Sequence, residues 1–416
     1  MIKKIIISAC FLFSIVVVAQ EGTSSPYSFY GIGDIRFKGA IENQSMGGVA
    51  IEQDSIHINL ENPASFSNLK LTTFTTGFTY ATKKLKEGDQ TANTRTTSLD
   101  YLAVGLPLGK LGIGFGLIPY SSVGYKIELL STDTDPYNRR YTGTGGVNKV
   151  FLGLGYKLAP GLSLGADAQY NFGRIETSSI EIIDGVASGT RELNEANLSG
   201  VNFNFGAMYQ TKINKKLSFL SSINYSLESN LTSQNNRNIA TVLYNTDFEV
   251  SSVDLLDEQK EERTLKLPSK LTIGAGIGES KKWLLGGQLT IGDVGNLENS
   301  YNTRTNVSYE KSIKYSIGGY YIPNYNSFSS YAKRMVFRAG LKYEQTGLVV
   351  NSESINDAGL SLGLGFPITG TFSNINLGFD LGKRGTTSSG LVQENYVNFR
   401  IGFSFNDRWF EKRKFQ

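Results

Sequence analysis

The stretch Leu162-Ser163-Leu164-Gly165-Ala166-Asp167-Ala168-Gln169-Tyr170-Asn171-Phe172-Gly173 alternates without a break. Leu162, Leu164, Ala166, Ala168, Tyr170 and Phe172 fall on one face, and Ser163, Gly165, Asp167, Gln169, Asn171 and Gly173 on the other. A period of two is the signature of an extended strand with one apolar and one polar face. The same pattern recurs in Val201–Gln210, Leu217–Leu227 and Val397–Phe405. Alternation alone also fits a soluble sandwich. Its persistence from about Leu71 to Phe405, in strands of about ten residues or more, points instead to a closed barrel whose outer face meets lipid.

Connection lengths supply the topology. Short turns at Leu108–Lys110, Ala159–Gly161, Asn214–Lys216, Glu279–Lys281 and Thr369–Gly370, with a longer one at Pro323–Arg334, interleave with long polar segments. The long segments are Lys83–Thr97, Lys126–Asn148, Arg174–Leu198, Ser229–Arg263, Asp293–Lys311, Asn351–Asp357 and Lys383–Glu394. Alternating short and long connections describe an outer-membrane barrel, with short turns at the periplasm and long loops outside. Counting between them gives about fourteen antiparallel strands, an even number with both ends periplasmic. Ile239–Val250 also looks extended, and parity assigns it to a hairpin arm inside the Ser229–Arg263 loop.

The chain ends fit export. Lys3 and Lys4, an apolar run from Ile5 to Val18, and Val17-Val18-Ala19 read as a signal peptide over residues 1–19, cleaved before Gln20. The run is too short for the roughly 18 apolar residues of a comfortable spanning helix. Cys10, the single cysteine, sits inside this run. Its faint lipobox setting is outweighed by the apolar residues that follow it, so the mature chain is expected to lack thiol chemistry. Without Lys3 and Lys4, 39 basic residues face 37 acidic ones, a balance that excludes a nucleic-acid stripe. Residues 406–416 form a basic, amphipathic tail at the periplasmic rim, where Trp409 suits an interfacial belt.

Residues 20–70 do not alternate, and their composition is not that of a free linker. A barrel of this size has a lumen that wall side chains alone cannot fill, so this segment is expected inside residues 71–405 as a plug. Within it stand Met46-Gly47-Gly48, Asp54 and Asn62-Pro63-Ala64. Their order before the first strand resembles the N-terminal hatch of FadL-type outer-membrane barrels. Leu267-Pro268-Ser269-Lys270-Leu271 resembles that family's Pro-led strand, and Trp283-Leu284-Leu285-Gly286-Gly287 the strand after it. Ser25–Asp34 and Asn406–Phe410 look like a Bacteroidota branch. The resemblance covers nearly the whole mature chain. It implies a fourteen-stranded barrel belonging with lipophile transporters and with PorV-type subunits of type IX secretion. The family's lipophile-contacting residues cannot be located here by motif, so no transport residue is carried over.

Candidate functional residues follow. Met46, Gly47, Gly48, Asn62, Pro63 and Ala64 are plug or gate candidates; Asn62-Pro63 also reads simply as a turn that ends the plug. Pro119 removes a ladder donor within Gly112–Tyr125, which predicts a kink or bulge. The resemblance adds a possible lateral exit there. Asp167, Gln169, Asn171, Asn202, Asn204, Asn398 and Arg400 are expected to face a polar lumen. Gly112, Gly114 and Gly116 lack a following helix, so they are strand glycines, which let another backbone approach closely, rather than a dinucleotide loop. His57 is the only histidine, and no carboxylate pair has glycosidase-like spacing. No enzyme, cofactor or metal site is expected. Two function classes remain. One is a plug-gated channel for small lipophilic molecules; the other is an accessory subunit holding partner proteins of an insertion or secretion complex. Both have outer-membrane lipid as a partner.

Overall fold

In the computed structural model, the described residues are 22–37, 39–133, 135–244, 250–293 and 306–409. The expected export segment and Cys10 therefore lie outside them, as does the tail beyond Trp409. The wall is one closed antiparallel barrel of 14 strands. In chain order these are β1 (Thr72–Glu87), β2 (Gln90–Leu108), β3 (Leu111–Pro119 and Ser121–Leu129), β4 (Tyr137–Ala159), β5 (Leu162–Ile183) and β6 (Ser188–Lys212). Then come β7 (Leu217–Ser226 and Ser229–Tyr244), β8 (Val250–Leu267 and Lys270–Glu279), β9 (Trp283–Asp293) and β10 (Val307–Tyr309 and Lys311–Tyr321). The last four are β11 (Val336–Val350), β12 (Glu353–Pro367), β13 (Asn374–Arg384) and β14 (Gln393–Asp407). β14 pairs with β1 from Gln393↔Lys86 to Asp407↔Thr72, which closes the cylinder and leaves no sheet edge there.

The alternation sets the faces. Tyr170 is 51 % exposed while its neighbour Asn171 is fully buried, so odd positions of β5 point inward over this stretch. Both ends of the wall, Thr72 and Asp407, lie at one rim, here the near rim, together with every tight turn of the short class. Gly161 makes one such turn possible, with φ +82° after Pro160, a conformation natural to glycine.

The long connections are a correction to the sequence reading. The described part of Ile239–Val250 is no separate arm inside a loop. Ser229–Tyr244 continues the wall strand begun at Leu217, pairing with β6 from Thr232↔Ser199 to Leu243↔Ser188 and with β8 from Ser229↔Leu267 to Tyr244↔Val250. Most of Lys126–Asn148 and Arg174–Leu198 is likewise ladder, and Lys83–Thr97 is a tight hairpin. Beyond the lipid both faces meet polar surroundings, so alternation fades while backbone pairing continues. Parity survives because β3, β7, β8 and β10 are each one strand with a short interruption.

The described residues of the segment 22–71 pack against the inward faces of the strands. They hold three short helical turns, Pro26–Phe29, Ile41–Gln44 and Pro63–Asn68, and a two-residue strand, Asp34–Ile35. Ala40, Ile41, Ile58, Leu60 and Phe66 bury themselves with Tyr101, Ala103, Ile118 and Phe151 of the wall. Met46, Val49 and Ile51 do so with Leu220 and Leu284. The inward face is therefore apolar at these contacts and polar between them.

Candidate functional site

The Pro63–Asn68 turn begins with a cap. Asn62 Oδ1 accepts from the Ala64 amide at 3.0 Å, and Pro63 supplies the preset first residue. The Asn62 amide then reaches the wall, donating to Ser222 Oγ and the Ile223 carbonyl, both at 2.9 Å. The turn rests in a seat of wall glycines. A Cβ at Gly112 would fall on the Phe66 carbonyl. At Gly155 it would stand 2.6 Å from the Pro63 carbonyl oxygen, and at Gly165 2.7 Å from Ala64 Cα. Met46 is seated similarly over Gly318 and Gly340. The Gly47 carbonyl accepts from Ser316 Oγ at 2.8 Å, and that of Gly48 from Gln288 Nε2 at 3.2 Å.

Five of the seven polar lumen candidates lie buried together on β5 and β6, in two hydrogen-bonded groups. Lys149 Nζ donates to Gln169 at 2.9 Å, Gln169 donates to Asp167, Asn204 donates to Asp167 at 2.8 Å, and Asn171 donates to Asn202 at 2.8 Å. Asn204 also donates to the Glu61 carbonyl at 3.3 Å, so its group touches the N-terminal segment. Asn398 and Arg400 stand apart on β14, half-buried, with Arg400 ion-paired to Asp380 of β13.

At Pro119 the wall itself changes. β3 breaks at Tyr120, and its ladder with β2 runs only from Leu102↔Leu117 to Leu108↔Leu111. Its second half pairs with β4, from Val123↔Gly145 to Leu129↔Arg139. The other edge of that half meets the N-terminal strand, Asp34↔Ser122 and Ile35↔Ser121. Among the described residues, no ladder joins Gln90–Tyr101 of β2 to Val123–Leu129 of β3. The result is a gap in the wall, about 800 Å³ in volume, bordered by Thr97–Leu99, Leu117, Pro119, Ser121, Ser122 and Asn148. Gly22 and Arg36 of the N-terminal segment stand in it. Arg36 donates to the Gly22 carbonyl and lies 3.7 Å from Asp100 of β2, while its amide donates to the Tyr120 carbonyl at 2.9 Å. Behind this closure is a cavity of about 230 Å³ bordered by Tyr30–Phe37, Tyr120, Lys149, Lys270 and Lys314.

An apolar track leads to the same place from the far rim. Leu129, Tyr137 and Ile183 are exposed at the tips of β3, β4 and β5, where Tyr137 and Ile183 are cross-strand partners. Past Arg139, the cross-strand partner of Leu129 that is ion-paired to Asp135 and Glu181, half-buried Ile127 and Tyr141 continue it downward to Tyr125, whose ring meets Phe29 at 5.0 Å. Proline marked the break in sequence. The edge closure by Asp34–Arg36 had no local signal, because it depends on residues more than sixty positions apart.

A titratable cluster anchors the middle of the N-terminal segment. Tyr320 donates to Glu52 at 2.7 Å, and His57 Nδ1 lies 2.6 Å from Asp54, with Glu42 3.8 Å from its other nitrogen. Burial and the Asp54 charge push Glu52 up to about 7. Burial alone would lower His57 and raise Asp54. Their contact overrides it, carrying His57 above its ordinary 6.5 and Asp54 down to about 2. Glu52 and His57 thus hold protons more tightly when folded, and their contribution is lost as pH rises through about 7 and above. Asp54 works in the opposite sense, losing its contribution only as pH falls through about 2. Protection factors across residues 50–60, which divide out the intrinsic hydroxide-catalysed rate, are expected to fall between about pH 5 and about pH 8. Equal protection factors at both values would refute this assignment.

A family model named BamG matches residues 1–416. The chain belongs to the BamG family. No curated protein matches it. Among solved structures, this BamG-family barrel is similar to the Pseudomonas putida toluene transporter TodX at 15 % identity and TM-score 0.60, covering 91 % of this chain and 100 % of that one. The CymD monoaromatic hydrocarbon channel gives 13 % identity and TM-score 0.60, again covering 91 % and 100 %. A Pseudomonas aeruginosa FadL homologue gives 12 % and 0.61, covering 90 % and 99 %. At such identities the likeness establishes the fold. This BamG-family chain has a barrel of FadL-type architecture whose outward face is apolar.

Proposed function

We propose that the protein is a non-enzymatic channel for small lipophilic molecules, with residues 20–70 as its plug and the gap beside Pro119 as its opening into the membrane. The observation that carries this reading is the missing ladder between Gln90–Tyr101 and Val123–Leu129, closed only by plug residues. A wall gap within a membrane barrel exposes unpaired backbone groups, which is costly unless it borders protein or a passage. The apolar track from Leu129 to Phe29 supports the reading, because it offers a lipophile a path out of water to that gap. TodX and CymD, whose folds this chain shares, are described as a toluene transporter and a monoaromatic hydrocarbon channel.

A second reading is an accessory subunit, PorV-like and of a Bacteroidota branch, within a protein-insertion or type IX secretion complex. The backbone-close seating of the plug on Gly112, Gly155 and Gly165 favours it, since a scaffold needs a sealed barrel. Narrowing the gap separates the two. Ser98→Trp, on the β2 border, is expected to cut uptake of a lipophilic probe into vesicles at least about tenfold, a barrier increase of about 1.4 kcal/mol. Unchanged uptake by a folded Ser98→Trp barrel would count against the channel. Stoichiometric protein partners in a gentle purification would then support the scaffold.

A further inference from the structure

The near-balance of charge in the sequence conceals a strong sorting in space. Around the near rim, successive turns and strand ends carry Lys110, Lys215, Lys216, Lys281, Lys333 and Arg408, all exposed. The acids of the wall at that rim, among the described residues, are Glu279, bound to Lys282 at 3.0 Å, and Asp407; Glu52 and Asp54 of the N-terminal segment stand inside it, already held by Tyr320 and His57. At the far rim, by contrast, many cations are ion-paired: Arg139 with Asp135 and Glu181, Arg140 with Glu128, and Arg237 with Glu192.

The near-rim cations are joined by aromatics in one sector. The Ile322–Met335 connection spans neighbouring turns, with Tyr325 under Lys281 Nζ at 4.6 Å and Arg334 reaching Thr369 at 3.4 Å. Its tip presents Phe328 fully exposed, beside Tyr331 and Phe372. Directly above stand Tyr321 and Phe337, exposed cross-strand partners that end the lipid-facing band.

We propose that this collar binds the anionic headgroups of the leaflet surrounding the near rim. Three features select lipid over a protein partner. The cations encircle the barrel, as a lipid annulus does, whereas a docked protein would cover one side. The aromatics continue the lipid-facing band without a break. Rings at headgroup depth with adjacent Lys and Arg suit a bilayer interface, where each cation near an anionic surface contributes about 1 kcal/mol, or about fivefold in local lipid preference.

The chain's two tryptophans, Trp283 and Trp409, both lie at this rim and provide the test. The purified barrel is reconstituted in vesicles containing equal mole fractions of brominated phosphatidylglycerol or brominated phosphatidylcholine. Tryptophan quenching is expected to be several-fold greater with the anionic lipid, and the preference should shrink in high salt. Lys281→Gln/Lys282→Gln/Lys333→Gln/Arg334→Gln should abolish most of it, while Lys126→Gln at the far rim should leave it intact. Equal quenching by the two lipids, or a preference insensitive to salt, overturns the proposal without recourse to any variant. So does a folded quadruple variant that keeps the full preference.

Discussion

Gly165→Val is expected to unseat the plug and turn a closed barrel into a leaky one. The position faces the Pro63–Asn68 turn, and a Cβ there would stand 2.7 Å from Ala64 Cα and collide with the Ala64 amide nitrogen. Neither partner is a flexible side-chain tip that could swing aside. The wall backbone is fixed by ladders on both edges, Leu164↔Tyr156 on one side and Gly165↔Gly206 on the other. The strain therefore falls on the plug. Overpacking a well-filled site costs about 1–3 kcal/mol, and here it also pulls Asn62 from Ser222 and Ile223, leaving buried groups unsatisfied at about 1–3 kcal/mol more. The wall should fold normally, because valine suits a strand. Two measurements check this. Single-channel conductance in a planar bilayer should rise from near silence to a steady open level, and protease should cut between residues 40 and 70. Silence and protection equal to the parent barrel would show that the segment is held by something other than this seat.

Much of the wall was legible because lipid enforces it. Tyr170 beside Asn171 reports its own two faces, and the same holds wherever a strand crosses apolar surroundings. Legibility ended where the lipid ends. Ser229–Tyr244 carries polar residues on both faces, so only its pairing with β6 reveals it as wall. The candidate site divides along similar lines. Pro119 announces a break by its own chemistry, since it cannot donate to a ladder. Arg36, Asp34 and Asp100 announce nothing, because their roles arise only when the plug strand meets Ser121 and Ser122. Asp167, Gln169, Asn171, Asn202 and Asn204 were grouped by periodicity alone, and the fold places them side by side on β5 and β6 in two hydrogen-bonded groups. Asn398 and Arg400 share the same periodicity yet lie on another strand pair, a separation that alternation cannot encode. The near-rim cations were invisible for the same reason. Lys110 and Lys333 are 223 positions apart in the chain but occupy one rim of a cylinder.

If the gap beside Pro119 is the exit and the plug strand its bolt, locking that bolt must stop passage. Ile35 and Ser121 are direct partners in the short antiparallel pairing that closes the gap. Partners of that kind lie within the roughly 4.4–6.8 Å Cα separation a disulfide needs. Ile35→Cys/Ser121→Cys, in a Cys10→Ser background, places the only two thiols of the chain across the closure. The decisive measurement is uptake of a lipophilic probe into vesicles by this variant, oxidised and then reduced. The account predicts uptake at least about tenfold below the parent when oxidised, recovered on adding reductant, as expected for a reversible barrier above about 1.4 kcal/mol. Equal uptake in the oxidised and reduced states, with the disulfide shown to be formed, would contradict it.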